Sequence, residues 1–418
     1  MPASGPPESP PLQLHPFQAV RYAFGRGGVS GMLSPPYDNI DPAQIRNLRS
    51  RPHHISQLLD TKDPRASASA LNGWLHSGIL VRDTQPALYV YQQRLGSELL
   101  QQGLIGELEL HRSPGGPVLP HEDVRPDVVR ERAACMAQMR AQPEPLLLTC
   151  PVGLATAQVI DRVVQRTPVS VARVDGITHT LWACTDKGEQ AVVALDLARR
   201  RALIADGHHR HAACLQLREQ RCLAMLVDSS TRPMRLAAVH RVIPGLEPGK
   251  AAAAAAEVAC VRPLPRGPRL PAPGQLVLAG SQRAWMITVP DPQALSEALA
   301  AQPAQWRKIP AAVTDHLLMS RAWSVPDLPG AVHHVHDAGR ALAAVSDPGS
   351  GVAVLLPPMS ETEVWELASA AVLLPRKSTS FGPKPPAGLV LRTLDPGSHL
   401  DSGVEVGLAH RDSPAPYP

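Results

Sequence analysis

The residues best equipped for chemistry lie together in Ile204-Ala205-Asp206-Gly207-His208-His209-Arg210-His211-Ala212-Ala213. The pattern predicts a strand end, a tight Asp-Gly turn and the first turn of a helix. A helix N-terminus presents unpaired backbone N–H groups and a partial positive charge, so it attracts anions. Gly207 lets backbone approach a ligand closely, because no Cβ stands in the way. Arg210 adds a fork suited to phosphate or carboxylate oxygens. His208 and His209 can donate hydrogen bonds or relay a proton. Asp206 can cap the helix or hold a cation such as magnesium. An anion site is the leading reading. A capped helix with ordinary histidines and a site built around a metal are the alternatives.

Four other groups of residues invite a chemical reading. His121-Glu122 sets an imidazole beside a carboxylate behind a proline, a pairing that could activate a hydroxyl or a water. Arg376-Lys377-Ser378-Thr379-Ser380 offers cations, hydroxyls and backbone donors suited to phosphate. The glycine framework of a P-loop is missing ahead of it, so a Walker site is rejected. Tyr37 and Asp38 follow two prolines in a rigid loop that suits a substrate contact, or only a structural turn. In His333-His334-Val335-His336-Asp337, adjacent histidines on a strand point to opposite faces, so only His334 and His336 could share an ion. Cys214, one turn beyond Arg210, reads as packing.

Composition narrows the class. The chain has 418 residues and a formal net charge of +4, so nothing argues for a nucleic-acid coat or an acidic partner. Of 41 basic residues only six are lysines, which makes a scattered arginine weak evidence and a lysine better evidence. Six cysteines without a C-x-x-C pair point to reduced thiols rather than a zinc ribbon. The start MPASGPPESPP lacks the basic and apolar regions of a secretory signal, and no apolar run is long enough to span a bilayer. A soluble cytoplasmic protein is expected.

The elements that must position these groups read as mixed α/β. Residues 1–13 are expected to be disordered. A main α/β domain covers 14–261, with Asp41 capping a helix that opens at Pro42. It continues with a helix over 65–77, strands at 87–93 and 104–110, and a helix carrying Arg130, Arg132 and Arg140. Strands follow at 146–150 and 178–185, then a helix over 190–200. Strand, helix and strand around Gly207 predict an α/β unit with its ligand at the strand's carboxyl end. RPLPRGPRLPAPG (262–274) is a stiff connector and an expected domain boundary. A smaller α/β lobe, 275–393, then carries the Arg376–Ser380 motif. Residues 394–418 are expected to form a disordered tail.

Four segments carry a family resemblance: Ser34-Pro35-Pro36-Tyr37-Asp38-Asn39-Ile40, Pro120-His121-Glu122 with Arg132 and Arg140 downstream, Ala205–Arg210, and Pro375–Lys384 followed by Gly388-Leu389-Val390. In this order the chain resembles the bacterial and archaeal domain-of-unknown-function family 1015. It departs from the family at Asp127–Glu131, where many relatives have P-K-x-D, and at Gln142, where Asn is common. The D-G-H-H-R segment is also similar to the box of the ParB/sulfiredoxin-type fold, which includes a free-serine kinase. That resemblance implies contact with nucleotide phosphates, and the resemblance to family 1015 points toward a small phosphorylated hydroxy-amino acid. The expected function is an enzyme of phosphoryl transfer or phosphate-ester hydrolysis. Gly207, His208, His209 and Arg210 would cradle phosphate, while Lys377, Ser378 and Thr379 close the site. Glu122 or Asp206 would act as base or magnesium ligand, with His121 and His209 assisting and Tyr37, Asp38 and Arg132 meeting substrate. A nucleotide is the expected co-substrate. A non-catalytic phosphate- or nucleotide-binding regulator is the runner-up, and a metal-dependent hydrolase the third reading.

Overall fold

Alternation along the strands explains the architecture. In Ala202–Asp206, Ala202 and Ile204 point to one face and Leu203 and Ala205 to the other, and all four are buried. Such a strand needs cover on both sides. The computed structural model describes residues 10–23, 28–36, 40, 42–59, 62–112, 115–328 and 330–394, and within them it supplies that cover. The strand belongs to a mixed nine-stranded sheet. Helices Pro126–Met139, Leu154–Val163, Lys187–Leu197 and His208–Gln216 pack on one face. The other face continues into a core shared with a second, six-stranded sheet.

The centre of the large sheet is the hairpin Leu88–Leu95 and Glu98–Glu109. Its turn at Gly96 has a φ of 58°, which glycine adopts without strain. Glu98–Glu109 pairs antiparallel with Arg221–Asp228, which runs parallel to Leu146–Cys150. Ala202–Asp206 then joins Leu146–Cys150 antiparallel. The strand–helix–strand unit expected around Gly207 is present, with its two strands antiparallel to each other. They flank Leu146–Cys150, and the helix His208–Gln216 carries the chain from one to the other.

Two expected boundaries move. Strand Ala259–Pro263 pairs with Ala284–Pro290, which pairs with Gln275–Ala279. The Pro-rich 262–274 stretch thus joins strands of one sheet instead of parting two domains. That sheet starts earlier, at His240–Pro244, and its inner face shares a continuous core with the large sheet. The 374–394 segment also returns to the first sheet's side. It contacts residues there at Leu374, Ala387 and Leu391, and Arg392–Thr393 pairs with Ala141–Gln142. At the N-terminal end, Leu12 is fully buried, so order begins before residue 14. Tyr37, Asp38, the Asp41 cap and residues 395–418 lie outside the described residues. Among the described residues no helix is long and apolar enough to cross a membrane.

Candidate functional site

The turn after Ala202–Asp206 is held open by Gly207, whose φ of 98° lies in the left-handed region. A Cβ there would stand 3.0 Å from Leu146 Cδ2 and 3.3 Å from the Arg210 guanidinium carbon. The helix His208–Gln216 starts immediately after it. Its first turn leaves the N–H groups of His208, His209 and Arg210 without helical partners. These residues line a cavity of about 270 Å³. The ribbon of Thr379–Gly382 against Arg235–Ala238 forms another wall, and Leu374 bridging to Glu122 fixes that wall to the Pro120–Glu122 loop. His121, Glu122, Arg132, Asp206, Lys377 and Thr379 therefore meet in one place, as their types and family order suggested.

Charge inside the cavity is not distributed as expected. Arg210 is engaged by Asp206, Nη2 to Oδ2 at 2.5 Å, and by the Pro145 carbonyl. The second Asp206 oxygen takes Lys384 Nζ at 2.5 Å. Burial alone would push the Asp206 carboxyl up, but Lys384 and Arg210 outweigh it and hold the group far below the usual carboxylate range. Asp206 is thus a poor base, and with both oxygens occupied by cations it does not fit a magnesium ion. Arg210 is first a structural clamp. Lys377 Nζ and the Arg132 guanidinium, by contrast, make no hydrogen bond or ion pair among the described residues.

The imidazoles are neutral and partly committed. His121 Nε2 lies 2.9 Å from Thr379 Oγ1. Burial pulls its pKa down to about 4; the Ile204 carbonyl opposes this without reaching hydrogen-bonding geometry, and Nδ1 has no partner among the described residues. His208 Nε2 accepts from the His121 N–H at 3.3 Å, and His209 Nε2 accepts from the Arg125 N–H at 3.1 Å. Burial lowers both pKa values. These two rings pin the 121–125 loop through Nε2. Glu122 moves the other way: burial raises its pKa, against the pull of the Lys377 backbone and charge. A part-buried carboxyl with a raised pKa can both hold and accept a proton.

Ser378 falls behind the wall. Its hydroxyl donates to the Pro375 carbonyl at 2.5 Å and closes the turn that presents Lys377. Lys377 itself has a φ of 59°, and its carbonyl accepts from Arg241 Nη1 at 3.0 Å. Arg241 is fully buried and forms a two-pronged pair with Asp315 at 2.9 and 3.0 Å. Motif and spacing marked Ser380 as a phosphate-suited hydroxyl and His336 as half of a metal pair, but pointed to no role for Arg241, Lys384 or Glu144. Lys384 had a signal as one of two lysines seven residues apart in the fourth motif. A charge in the apolar strand His240–Pro244 was the signal for Arg241. His336 Nδ1 meets Ser380 Oγ at 2.9 Å and lines the cavity, while Asp337 caps the next helix. Among the described residues no group of three or more His, Cys, Asp or Glu is placed to hold a metal, so the paired reading of His334 and His336 gains no support. Cys214 is buried beside Met136 and Cys222, as packing requires.

Fold and site together define a mixed α/β protein with a charged cleft at the end of a sheet strand. The chain belongs to the family of proteins of unknown function DUF1015, whose model matches residues 14–312. No curated relative matches it. Among solved structures it is similar to a free serine kinase variant in complex with AMP, at 15% identity over 64% of this chain and 84% of that one, with a TM-score of 0.38. It is also similar to a C-terminally truncated SbnI from Staphylococcus aureus, at 11% identity over 69% and 87%, with a TM-score of 0.39. A conserved hypothetical protein from Pyrococcus furiosus matches at 14% identity over 66% and 92%, with a TM-score of 0.36. Likeness at this level leaves function to be argued from the site.

Proposed function

We propose that the cleft binds a small phosphorylated metabolite and that Glu122 moves a proton there, in phosphoryl transfer or phosphate-ester hydrolysis. One observation carries this reading. The free N–H groups at the start of His208–Gln216, Lys377 Nζ and the Arg132 guanidinium open on the same cavity as Glu122. Anion binding needs donors without prior partners, and these are such donors. The cavity is also lined by carboxylates, with Glu144 beside Glu122 and Asp206. A ligand bearing both a phosphate and an ammonium group suits that mixture, and a phosphorylated amino acid is the simplest. Positioning and charge neutralisation supply most of phosphoryl-transfer catalysis, which matches this residue set. A nucleotide would enter as phosphate donor.

Thermal unfolding with O-phosphoserine, 3-phosphoglycerate or serine tests the reading, because ligand binding raises apparent stability by mass action. Phosphoserine is expected to raise Tm most and unphosphorylated serine least. No shift with either phosphorylated compound contradicts the proposal. Turnover of the best ligand, with and without ATP, then separates an enzyme from a phosphate-responsive regulator.

A further inference from the structure

A second cavity, also about 270 Å³, lies in the other sheet. Its floor is the end of strands Gln275–Ala279 and Ala284–Pro290, and its roof is the 307–318 segment. Leu276, Ile287, Val313, Leu317 and Leu318 give it an apolar interior, and all five are buried. Two features separate it from an ordinary packing gap. Arg307 and Lys308 stand exposed at its edge, and no carboxylate lines it among the described residues. Lys308 makes no hydrogen bond or ion pair among the described residues, and Arg307 reaches only Ser296 Oγ, at 3.3 Å. In a chain with six lysines, an uncommitted one at the edge of an apolar hollow is informative. The roof is a π-helix, Val313–Ala322, a wide and uncommon geometry found often at functional sites.

We propose that this cavity is a second small-molecule site, separate from the charged cleft, and that it takes a short apolar carboxylate. The hydrocarbon part would fill the space between Leu276, Ile287 and Leu317. The carboxylate would remain at the edge, paired with Lys308 and Arg307. The volume lies just below the range of about 300–1,000 Å³ for small-molecule pockets, which limits the occupant to a short chain or a single ring. Apolar burial provides the affinity, and the cations select a carboxylate over a neutral tail.

Isothermal titration of the full-length protein with octanoate, and with 1-octanol as the uncharged control, tests the assignment. Octanoate is expected to bind saturably and more tightly than octanol. Lys308→Glu, an exposed change that leaves the core intact, should weaken octanoate by about ten-fold or more, the worth of a charge-assisted hydrogen bond. Lys377→Ala should leave octanoate affinity unchanged. The proposal is overturned if octanoate fails to saturate, if octanol binds equally well, or if Lys308→Glu retains full affinity. Loss through Lys377→Ala would likewise overturn it by placing the ligand in the charged cleft.

Discussion

Arg210 and Lys377 show how partner, rather than residue type, sets a cation's role. Arg210 stands in the chemically richest segment, yet its guanidinium is bound by Asp206 and the Pro145 carbonyl. Lys377 stands exposed in a turn and keeps its ammonium free. Arg210→Ala should therefore cost about 1–3 kcal/mol of stability, the range for lost buried hydrogen bonds to charge, seen as a lower urea midpoint. Arg132→Ala should leave that midpoint nearly unchanged and lower phosphoserine affinity instead. Equal stability in both variants would contradict this division. Glu122 carries the proton-transfer part of the account. Glu122→Gln should keep ligand affinity within a few-fold and lower turnover by about 10²–10⁴, the usual contribution of a general acid or base. Full turnover in that variant would remove Glu122 from the role.

Elements place these residues, and their local parts were readable while their distant parts were not. The Asp-Gly turn and the helix after it follow from residues next to one another, and Gly207 bears the left-handed φ that such a turn demands. Gly207→Ala should cost roughly 1–2 kcal/mol for that φ, checked by urea denaturation; an unchanged midpoint would show that the turn relaxes. The Asp206–Lys384 pair joins residues 178 apart, and no periodicity reports such a contact. The same holds for the antiparallel placement of Ala202–Asp206 against Leu146–Cys150, since a strand's partner and direction are set by tertiary packing. Lys377 depends on a remote element as well. The π-helix Val313–Ala322 carries Asp315, Asp315 holds Arg241, and Arg241 holds the Lys377 carbonyl. Asp315→Asn leaves the fully buried Arg241 without its counter-charge and should cost about 3–5 kcal/mol, again read from denaturation. A loss below the range of an ordinary surface change would show that Arg241 has another counter-ion.

At the scale of the whole molecule, one core joins both sheets, and charge is buried in pairs while imidazoles are buried neutral. The mixed α/β class and several central strands, among them Leu88–Leu95, Leu146–Cys150 and Ile177–Cys184, were legible from alternation and turn residues. The unity of the core was not, because the Pro-rich 262–274 stretch looks like a linker until its flanking strands are seen to share a sheet. The neutral histidines give the molecule a defined acid response. Burial holds His121, His179 and His240 at pKa values of about 4, below the 6.5 of an exposed histidine. As pH falls from 6.5 toward 4, the unfolded chain takes up protons that the native state refuses, so stability falls. Each should contribute roughly 1–2 kcal/mol of loss by pH 5. Asp206, with its depressed pKa, keeps its contribution throughout that window and loses it only in stronger acid. Urea midpoints at pH 7 and pH 5 check this, and equal midpoints would contradict it.

The central claim is that the start of His208–Gln216 and Lys377 hold one phosphorylated ligand between them, and titration calorimetry with O-phosphoserine tests it most directly. The wild type should bind one equivalent. Lys377→Ala should weaken that binding by about 1.5–3 kcal/mol, the range for a hydrogen bond to a charged group, with the unfolding midpoint preserved. Undiminished affinity in a well-folded Lys377→Ala, or no phosphoserine binding in the wild type, would contradict the account.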